Sequence, residues 1–384
     1  MYQLTEQQLN FKHRIREYVN NELLPITQEL TNSGKFPSEI IRKCGELGFL
    51  NTSFTPIPST PSGGAIETSI LIEELSRGLG SLGLILAPHF QGISLLSTYG
   101  SSEIKSKYLI PALHGQTIFS YAITEETSGT SVLDISATAT KDGDSWILNG
   151  KKYWVTNAGI ADGYFIGVQT AFASKRRSLS FFFVEKNTPG LSFKKNDTMT
   201  GCSNSIMGTI ELKNCRIPST HLIGIENEAY GFMKNTLNLG RLAASAASIG
   251  IAHRALELAI EHSTSRELYG RKLYSHQGIS FPIAEMYAQI ASCKTMLYHT
   301  SALCESNQSF SADVAALKIL ANETCIQVCR KSQEIHGAFG LSKASEIEHC
   351  LRDAQMLTTA EGTLSACKMS ISSALLKSSL DQYF

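Results

Sequence analysis

The chain has 384 residues, 42% hydrophobic and 18% charged, a mixture able to bury a sizeable core in two or three domains or in one large multi-layer unit. Its 34 Lys and Arg balance 34 Asp and Glu, and such neutrality argues against nucleic acid or an anionic membrane as the main partner. No stretch approaches the roughly 18–20 apolar residues of a membrane span, and the charged N-terminal run lacks the apolar core of a signal peptide.

The predicted elements begin with helices. Thr5 and Gln8 have capping-box spacing, and an amphipathic run continues to about Leu24, where Pro25 interrupts it. "PSEIIRKCGELGFL" (37–50) gives a second helix and "PIPSTPSGG" (56–64) a loop. "AIETSILIEELSRGLGSLGLILAPHF" (65–90) gives one or two buried helices, and "SSEIKSKYLIPALHG" (101–115) a short helix broken at Pro111. The texture changes near residue 118. Asn149-Gly150 lies between two β-prone runs in "DSWILNGKKYWVTNA" (144–158), the local signal of a type I′ hairpin. "GYFIGVQT", "SLSFFFVEK", "GLSFKK" and "GTIELKNCRIP" follow as short strands, too close together for helical crossovers, so the sheet should be antiparallel. The basic "SKRRS" (174–178) reads as a surface loop.

Helical texture returns near residue 229. "GRLAASAASIGIAHRALELAIEHSTS" (240–265) carries an Ala/Ser-rich face suited to close helix approach, two more long helices follow, and "TLSACKMSISSALLKS" closes the chain. The layout is therefore α+β: a helical domain over 1–118, a β domain over 119–228 and a helical bundle over 229–384.

Several motifs lead nowhere. Gly78, Gly80 and Gly83 spell G-x-G-x-x-G, but a helical run precedes them where a dinucleotide fingerprint needs a strand. No phosphate-binding P-loop, HExxH or GxSxG is present. The nine cysteines form no CxxC pair, so neither a disulfide framework nor a metal site is expected, and the chain reads as reduced and cytoplasmic. Cys325 and Cys329 share a helix face as small buried hydrophobes. His336 has no second ligand at usable spacing and reads as structural. The oddest feature is Glu361, the lone charge in "MLTTAEGTLSAC" (356–367). Taken alone, it reads as the acid at a helix start, favoured by the macrodipole.

Five segments shift that reading. "YAITEETSGTS" (121–131), "WILNGKKYWVTNAGIADGYFI" (146–166), "SRELYGRKLYSHQ" (265–277), "EIHGAFGLSK" (334–343) and "LRDAQMLTTAEGT" (351–363) occur in this order. Together they resemble the acyl-CoA dehydrogenase family of flavoproteins over essentially the whole chain. The resemblance implies an N-terminal helical domain, a central antiparallel β domain and a C-terminal four-helix bundle. It also implies FAD bound partly across a subunit interface of a homo-oligomer, a tetramer or a dimer. Tyr121, Ile123, Thr124, Gly129, Thr130, Trp154 and Thr156 would hold the ring and phosphate side, with Thr363 beside them. Arg266, Tyr269 and Gln277 would meet the pyrophosphate and adenine side from a neighbouring subunit, where arginine offers a planar fork. Glu334 stands where the family has Gln, beside the turn at Gly337, and Ala338 replaces that turn's second glycine. A carboxylate repels a pyrophosphate. Glu334 then faces ribose or adenine, or is protonated, or the cofactor sits differently.

By the same resemblance Glu361 is the base, removing the α-proton of an acyl thioester while hydride leaves the β-carbon for the flavin. The family polarises the thioester carbonyl with the base's own backbone N–H and a flavin hydroxyl. Gly362 lets the chain pass close to ring and substrate. Gly240 occupies the place where other members carry the base, so no carboxylate competes with Glu361. Arg241 helps position the base or the thioester, or serves packing. Ser131, Asn238 and Ser203 depart from the family pattern at positions associated with the substrate. Those departures point to an acyl or prolyl group tethered to a carrier protein in natural-product biosynthesis, with prolyl as the leading expectation. A short- or branched-chain acyl-CoA is the alternative, and a non-catalytic or oxygenase-type member a remote one. Electrons would pass to an electron-transfer flavoprotein or to O2.

Overall fold

The computed structural model describes residues 3–57, 62–132, 134–170, 178–195 and 198–376. Residues 58–61 of the predicted loop at 56–64 and residues 174–177 of the basic run at 174–178 fall outside them.

Helix α1 (Glu6–Tyr18) starts at the expected capping box, with Gln8 N–H donating to Thr5 Oγ1 and Thr5 N–H to Gln8 Oε1. The chain does not stop at Pro25. It passes through a π turn (Val19–Leu23) and a 3-10 turn (Leu24–Ile26) into α2 (Thr27–Ser33), because proline at the start of a helical turn lacks only a donor that has no partner there. Helices α3 (Ser38–Glu46), α4 (Ala65–Gly78) and α5 (Gly80–Tyr99) follow. Helix α6 (Ser102–Leu113) runs through Pro111 rather than breaking there, since only its last turn lies beyond. The G-x-G-x-x-G run is the α4–α5 junction. A Cβ on Gly78 would lie 2.5 Å from the Leu23 side chain and one on Gly83 2.4 Å from Ala247 Cβ. These glycines admit neighbouring helices and cradle no phosphate.

The sheet contains β1 (Phe119–Ala122), β2 (Thr138–Asp142), β3 (Ser145–Thr156), β4 (Gly163–Gln169), β5 (Leu179–Glu185), β6 (Leu191–Lys195), β7 (Met207–Pro218) and β8 (Leu222–Ile223). Their order is β6-β7-β3-β2-β4-β5-β8, with β1 beside β4. Two expectations need correcting. The sheet is antiparallel except for β1–β4 and a single β2–β4 pair, which are parallel. Here β1 and β4 are separated by two intervening strands, so no hairpin dictates their direction. Asn149-Gly150 makes no hairpin either: both residues lie inside β3, where the register slips between Leu148 and Gly150. The runs on either side pair with β2 and β7 instead of each other, so the glycine serves a bulge. The hairpin turn is at Gly143-Asp144, closed by the Asp142–Ser145 pair, with Gly143 at φ +60°.

Helices α7 (Ala229–Ser265), α8 (Gln277–Glu305), α9 (Ser311–His336), α10 (Glu346–Leu357) and α11 (Leu364–Leu375) build the bundle. Between α7 and α8 a small hairpin pairs β9 (Glu267–Leu268) with β10 (Arg271–Lys272). Helix α7 is the spine and packs on α4, α5, α8, α9 and α10. Gly250 admits that approach, since a Cβ there would lie 2.1 Å from the Glu73 carbonyl oxygen. Cys325 and Cys329 are both buried in α9, as their spacing suggests. His336 Nδ1–H donates to the Ser332 carbonyl (2.7 Å), and its ring stacks on His262 with centroids 4.5 Å apart. Among the described residues no helix is long and apolar enough to cross a membrane, and no group of His, Cys, Asp or Glu could hold a metal ion.

Candidate active site

A cavity of about 480 Å³ opens where the helical domain, the sheet and the bundle meet. Tyr121, Ile123, Thr124, Gly129 and Thr130 reach it from β1 and the loop that follows, Trp154 and Thr156 from the end of β3, and Arg241 from α7. Glu361, Gly362 and Thr363 reach it from the turn between α10 and α11. The structure thus gathers the expected ring-side and catalytic residues around one space.

The loop after β1 is pinned from below. Glu125 accepts from Ser136 N–H and Oγ (2.6 Å each), Ala137 N–H (2.9 Å) and Lys152 Nζ (2.7 Å). Lys152 is fully buried and also donates to the Ile123 carbonyl at 3.1 Å. Burial pushes the Lys152 ammonium down to about 8 despite the opposing Glu125 charge. Lys152→Met should cost about 3–5 kcal/mol, because it strands a buried carboxylate. It should also shed flavin, as the ring-side loop loses its anchor. Urea unfolding and bound-flavin absorbance check this, and an unchanged flavin content would detach the ion pair from the site.

Trp154 owes its position to a bulge. The β3–β7 register slips between Lys152 and Val155, Trp154 takes φ +55°, and its side chain is left 52% exposed at the cavity wall. Nearby, the Tyr121 hydroxyl is buried without a hydrogen-bond partner, and the Tyr121 ring stacks on Phe181 at 5.3 Å. Threonine hydroxyls, an indole face and an orphaned phenol suit a planar heteroaromatic group with polar edges.

Glu361 sits at φ +56°, in the left-handed region that few non-glycine residues occupy. Its Oε2 accepts a hydrogen bond from Gln91 Nε2 at 2.7 Å. Burial pushes the carboxyl pKa up, opposed by the Gln91 bond and by the charges of Lys318 and Arg241. Lys318 is fully buried in α9 and donates to the Gly362 carbonyl. Burial pushes that ammonium down to about 8. Arg241 is 9% exposed; its Nη1 donates to Asn238 Oδ1 at 3.2 Å, while its Nε has no partner. Gly240 makes the arrangement possible, since a Cβ there would lie 2.0 Å from Glu361 Oε2 and 2.4 Å from Gln91 Nε2. Gly240→Ala should therefore displace the carboxylate. A misplacement near 1 Å costs about 10²-fold in rate, and stopped-flow flavin reduction measures it; wild-type rates would show that the turn yields without penalty.

Other expected residues lie elsewhere. Arg266, Tyr269, Gln277, Glu334 and Gly337 are exposed and collect around the far end of the bundle. Leu273 N–H donates to the Arg266 carbonyl there, and the His262–His336 stack joins the ends of α7 and α9. From Arg241 to Arg266 α7 rises about 37 Å, too far for both ends to line one cavity in the same chain. Ser131 is exposed and hydrogen-bonds Asp134, and Asn238 lies behind Arg241, donating to Ser311 Oγ at 2.8 Å. Ser203 belongs to a clasp. Its Oγ donates to the Thr31 carbonyl at 2.9 Å, Asn204 Nδ2 to the Leu30 and Lys35 carbonyls at 2.7 and 2.8 Å, and Cys202 N–H to Asp353 Oδ1 at 2.5 Å. Ser203 thus says nothing about the acyl carrier.

Gln91 and Lys318 went unread in the sequence. Each is a polar residue within a largely apolar helical run, "LILAPHFQGISLL" and "DVAALKIL". That is the available signal, but it does not reveal the partner.

Family models for the N-terminal, middle and C-terminal domains of acyl-CoA dehydrogenase match residues 5–116, 120–215 and 230–376. The caffeyl-CoA reductase-Etf complex subunit CarC of Acetobacterium woodii is 30% identical over 97% of this chain and 99% of its own length. The short-chain-specific acyl-CoA dehydrogenase of Clostridium acetobutylicum is 29% identical over 98% and 100%. Among solved structures, butyryl-CoA dehydrogenase from Megasphaera elsdenii superposes with a TM-score of 0.93 at 26% identity, over 98% of this chain and 100% of that one. The prolyl acyl carrier protein oxidase AnaB does so with a TM-score of 0.90 at 28% identity, over 97% and 100%. The chain belongs to the acyl-CoA dehydrogenase family. It is an oxidoreductase of acyl thioesters, and FAD is its cofactor.

Proposed function

We propose that this enzyme dehydrogenates a short acyl group carried on CoA between its α- and β-carbons, with Glu361 as the base. The observation that carries this is the isolation of Glu361: among the described residues it is the sole carboxylate lining the cavity. FAD, when bound, accepts the hydride that leaves the β-carbon. Glu361 takes the α-proton, and burial makes its carboxylate more basic, as a general base requires. The backbone N–H of Glu361 polarises the thioester carbonyl, and Gly362 lets that backbone approach. Arg241 holds positive charge near the base, and its Nη1 is hydrogen-bonded to Asn238 Oδ1. Tyr121, Ile123, Thr124, Gly129, Thr130, Trp154, Thr156 and Thr363 orient the ring.

CoA as carrier is supported by the names of the Clostridium and Megasphaera relatives. A prolyl or acyl group on a carrier protein is the second reading, supported by the likeness to AnaB. The non-catalytic alternative is disfavoured by the intact Glu361. An electron-transfer flavoprotein as acceptor is supported by the name of the Acetobacterium relative. The span of α7 supports a homo-oligomer, because Arg266, Tyr269, Gln277, Glu334 and Gly337 need a second copy to approach a cofactor held at this cavity. Anaerobic mixing with butyryl-CoA and with a prolyl-loaded carrier protein tests the reading. Bleaching of the flavin by butyryl-CoA supports the CoA form, bleaching by the carrier alone supports the second, and none by any thioester contradicts both.

A further inference from the structure

We propose that Gln91 is a positioning residue that fixes the Glu361 carboxylate through Oε2 and leaves Oε1 as the atom that takes the proton. The inference rests on Glu361 being the base.

Gln91 lies in the middle of α5 and is fully buried. Its amide nitrogen has two acceptors in reach, the Thr236 carbonyl at 3.0 Å and Glu361 Oε2 at 2.7 Å. Both neighbours can only accept while Glu361 is ionised, so the amide must present its NH2 group to them, and its two hydrogens are matched one to each. The Gln91 carbonyl oxygen, turned the other way, is left buried without a partner. The amide orientation is thus set by what surrounds the nitrogen, at the expense of the oxygen.

Two further contacts hold the carboxylate and the turn that carries it. The Gly240 backbone lies so near that a Cβ would reach within 2.0 Å of Oε2. Helix α9 holds the following residue, as Lys318 donates to the Gly362 carbonyl. Three helices therefore bracket the turn, and Oε2 is spent on Gln91. No hydrogen bond among the described residues reaches Oε1. In the reaction, the α-carbon's C–H bond breaks and its proton forms an O–H bond with Oε1, while bound FAD would supply the acceptor for the hydride leaving the β-carbon. The new double bond uses the electron pair left at the α-carbon.

The titratable and charged groups around Glu361 are Arg241 on α7, Lys318 on α9 and the Tyr121 phenol on β1. The two cations favour the carboxylate from a distance, whereas Gln91 touches it. A charge-assisted hydrogen bond stabilises the anion over the acid, so losing it moves the carboxyl titration upward, by about one to two pH units.

The test compares wild type, Gln91→Leu and Glu361→Gln as FAD-loaded proteins. The infrared C=O stretch of the protonated carboxyl is followed against pH, with Glu361→Gln identifying the band. The pH profile of flavin reduction is recorded alongside. Gln91→Leu keeps side-chain volume close to the original, and thermal unfolding confirms the fold; Gln91→Asn, which keeps an amide on a shorter arm, should fall between the two. The expected result is a titration midpoint and an acid limb of the profile that move together to higher pH in Gln91→Leu. An unmoved midpoint, with Glu361→Gln inactive, overturns the inference and leaves the proposed base in place. Full turnover by Glu361→Gln overturns the base assignment itself, and the inference with it.

Discussion

Glu361→Gln should slow flavin bleaching by substrate by about 10²–10⁴-fold, the usual contribution of a positioned general base, while the protein remains folded and yellow. Gln has nearly the same shape, so the turn between α10 and α11 keeps its contacts and Thr363 still caps α11 by accepting from Ala366 N–H at 3.2 Å. What is lost is the ability to take a proton from carbon. The stability effect has a defined sign. Burial raises the folded-state pKa of Glu361 above its unfolded value. The group's favourable contribution is then fully present below the unfolded pKa and is lost as pH rises through the folded one. At neutral pH the ionised side chain is therefore a net cost, and the neutral amide should leave Tm equal or higher. A variant that loses activity together with Tm would instead mark Glu361 as structural. The activity of the wild type should fall below the pKa of this carboxyl, where the base becomes protonated.

Glu73→Gln should cost about 3–5 kcal/mol of stability, because it leaves the part-buried Lys294 without its carboxylate and the buried Lys12 with Glu74 as its remaining one. Glu73 is fully buried in α4, 2.7 Å from Lys294 Nζ and 3.6 Å from Lys12 Nζ, and accepts from the Tyr298 hydroxyl at 2.6 Å. These partners come from α8 and α1, so the cluster ties the N-terminal helices to the bundle. The next residue extends the tie: Glu74 accepts two hydrogen bonds from Arg16, at 3.0 and 2.7 Å. Burial by itself would raise the Glu73 pKa, but Lys294 and Lys12 outweigh it and hold the carboxyl well below the usual range. A depressed carboxyl pKa contributes stability above its unfolded value, near 4.3, and loses it as pH falls further. Urea unfolding at neutral pH measures the loss, and the difference between wild type and Glu73→Gln should shrink in acid. A change under about 1 kcal/mol would reduce the cluster to the worth of surface ion pairs. The effect reaches function because α4 leads directly into α5, which carries Gln91.

Much of this was legible in the sequence where the cause is local. The Thr5–Gln8 capping box, the Ala/Ser face of α7 and the strand runs of the sheet depend on short-range spacing, and the structure contains all three. Asn149-Gly150 misled because the pair has the right local chemistry for a turn, while its flanks find partners in β2 and β7. The parallel β1–β4 pairing was equally invisible, being a long-range choice. At the site, Glu361 stood out as a lone carboxylate and the resemblance supplied its role. Two of its neighbours did not stand out. Gln91 and Lys318 come from two helices far apart in the chain, and their meaning arises only when packing brings them to one turn. The distal set around Arg266 poses the reverse case: the resemblance implies cofactor contacts for its residues, but the length of α7 separates them from the cavity of their own chain.

The central claim is that the α,β-bond of a short acyl-CoA is oxidised at this cavity. Mass spectrometry of a series of acyl-CoA thioesters, after incubation with the FAD-loaded enzyme and an artificial electron acceptor, tests it most directly. The expected result is loss of two hydrogens from a short-chain acyl-CoA by the wild type and no loss with Glu361→Gln. Unchanged masses across the CoA series, or an added oxygen in place of the lost hydrogens, would contradict it.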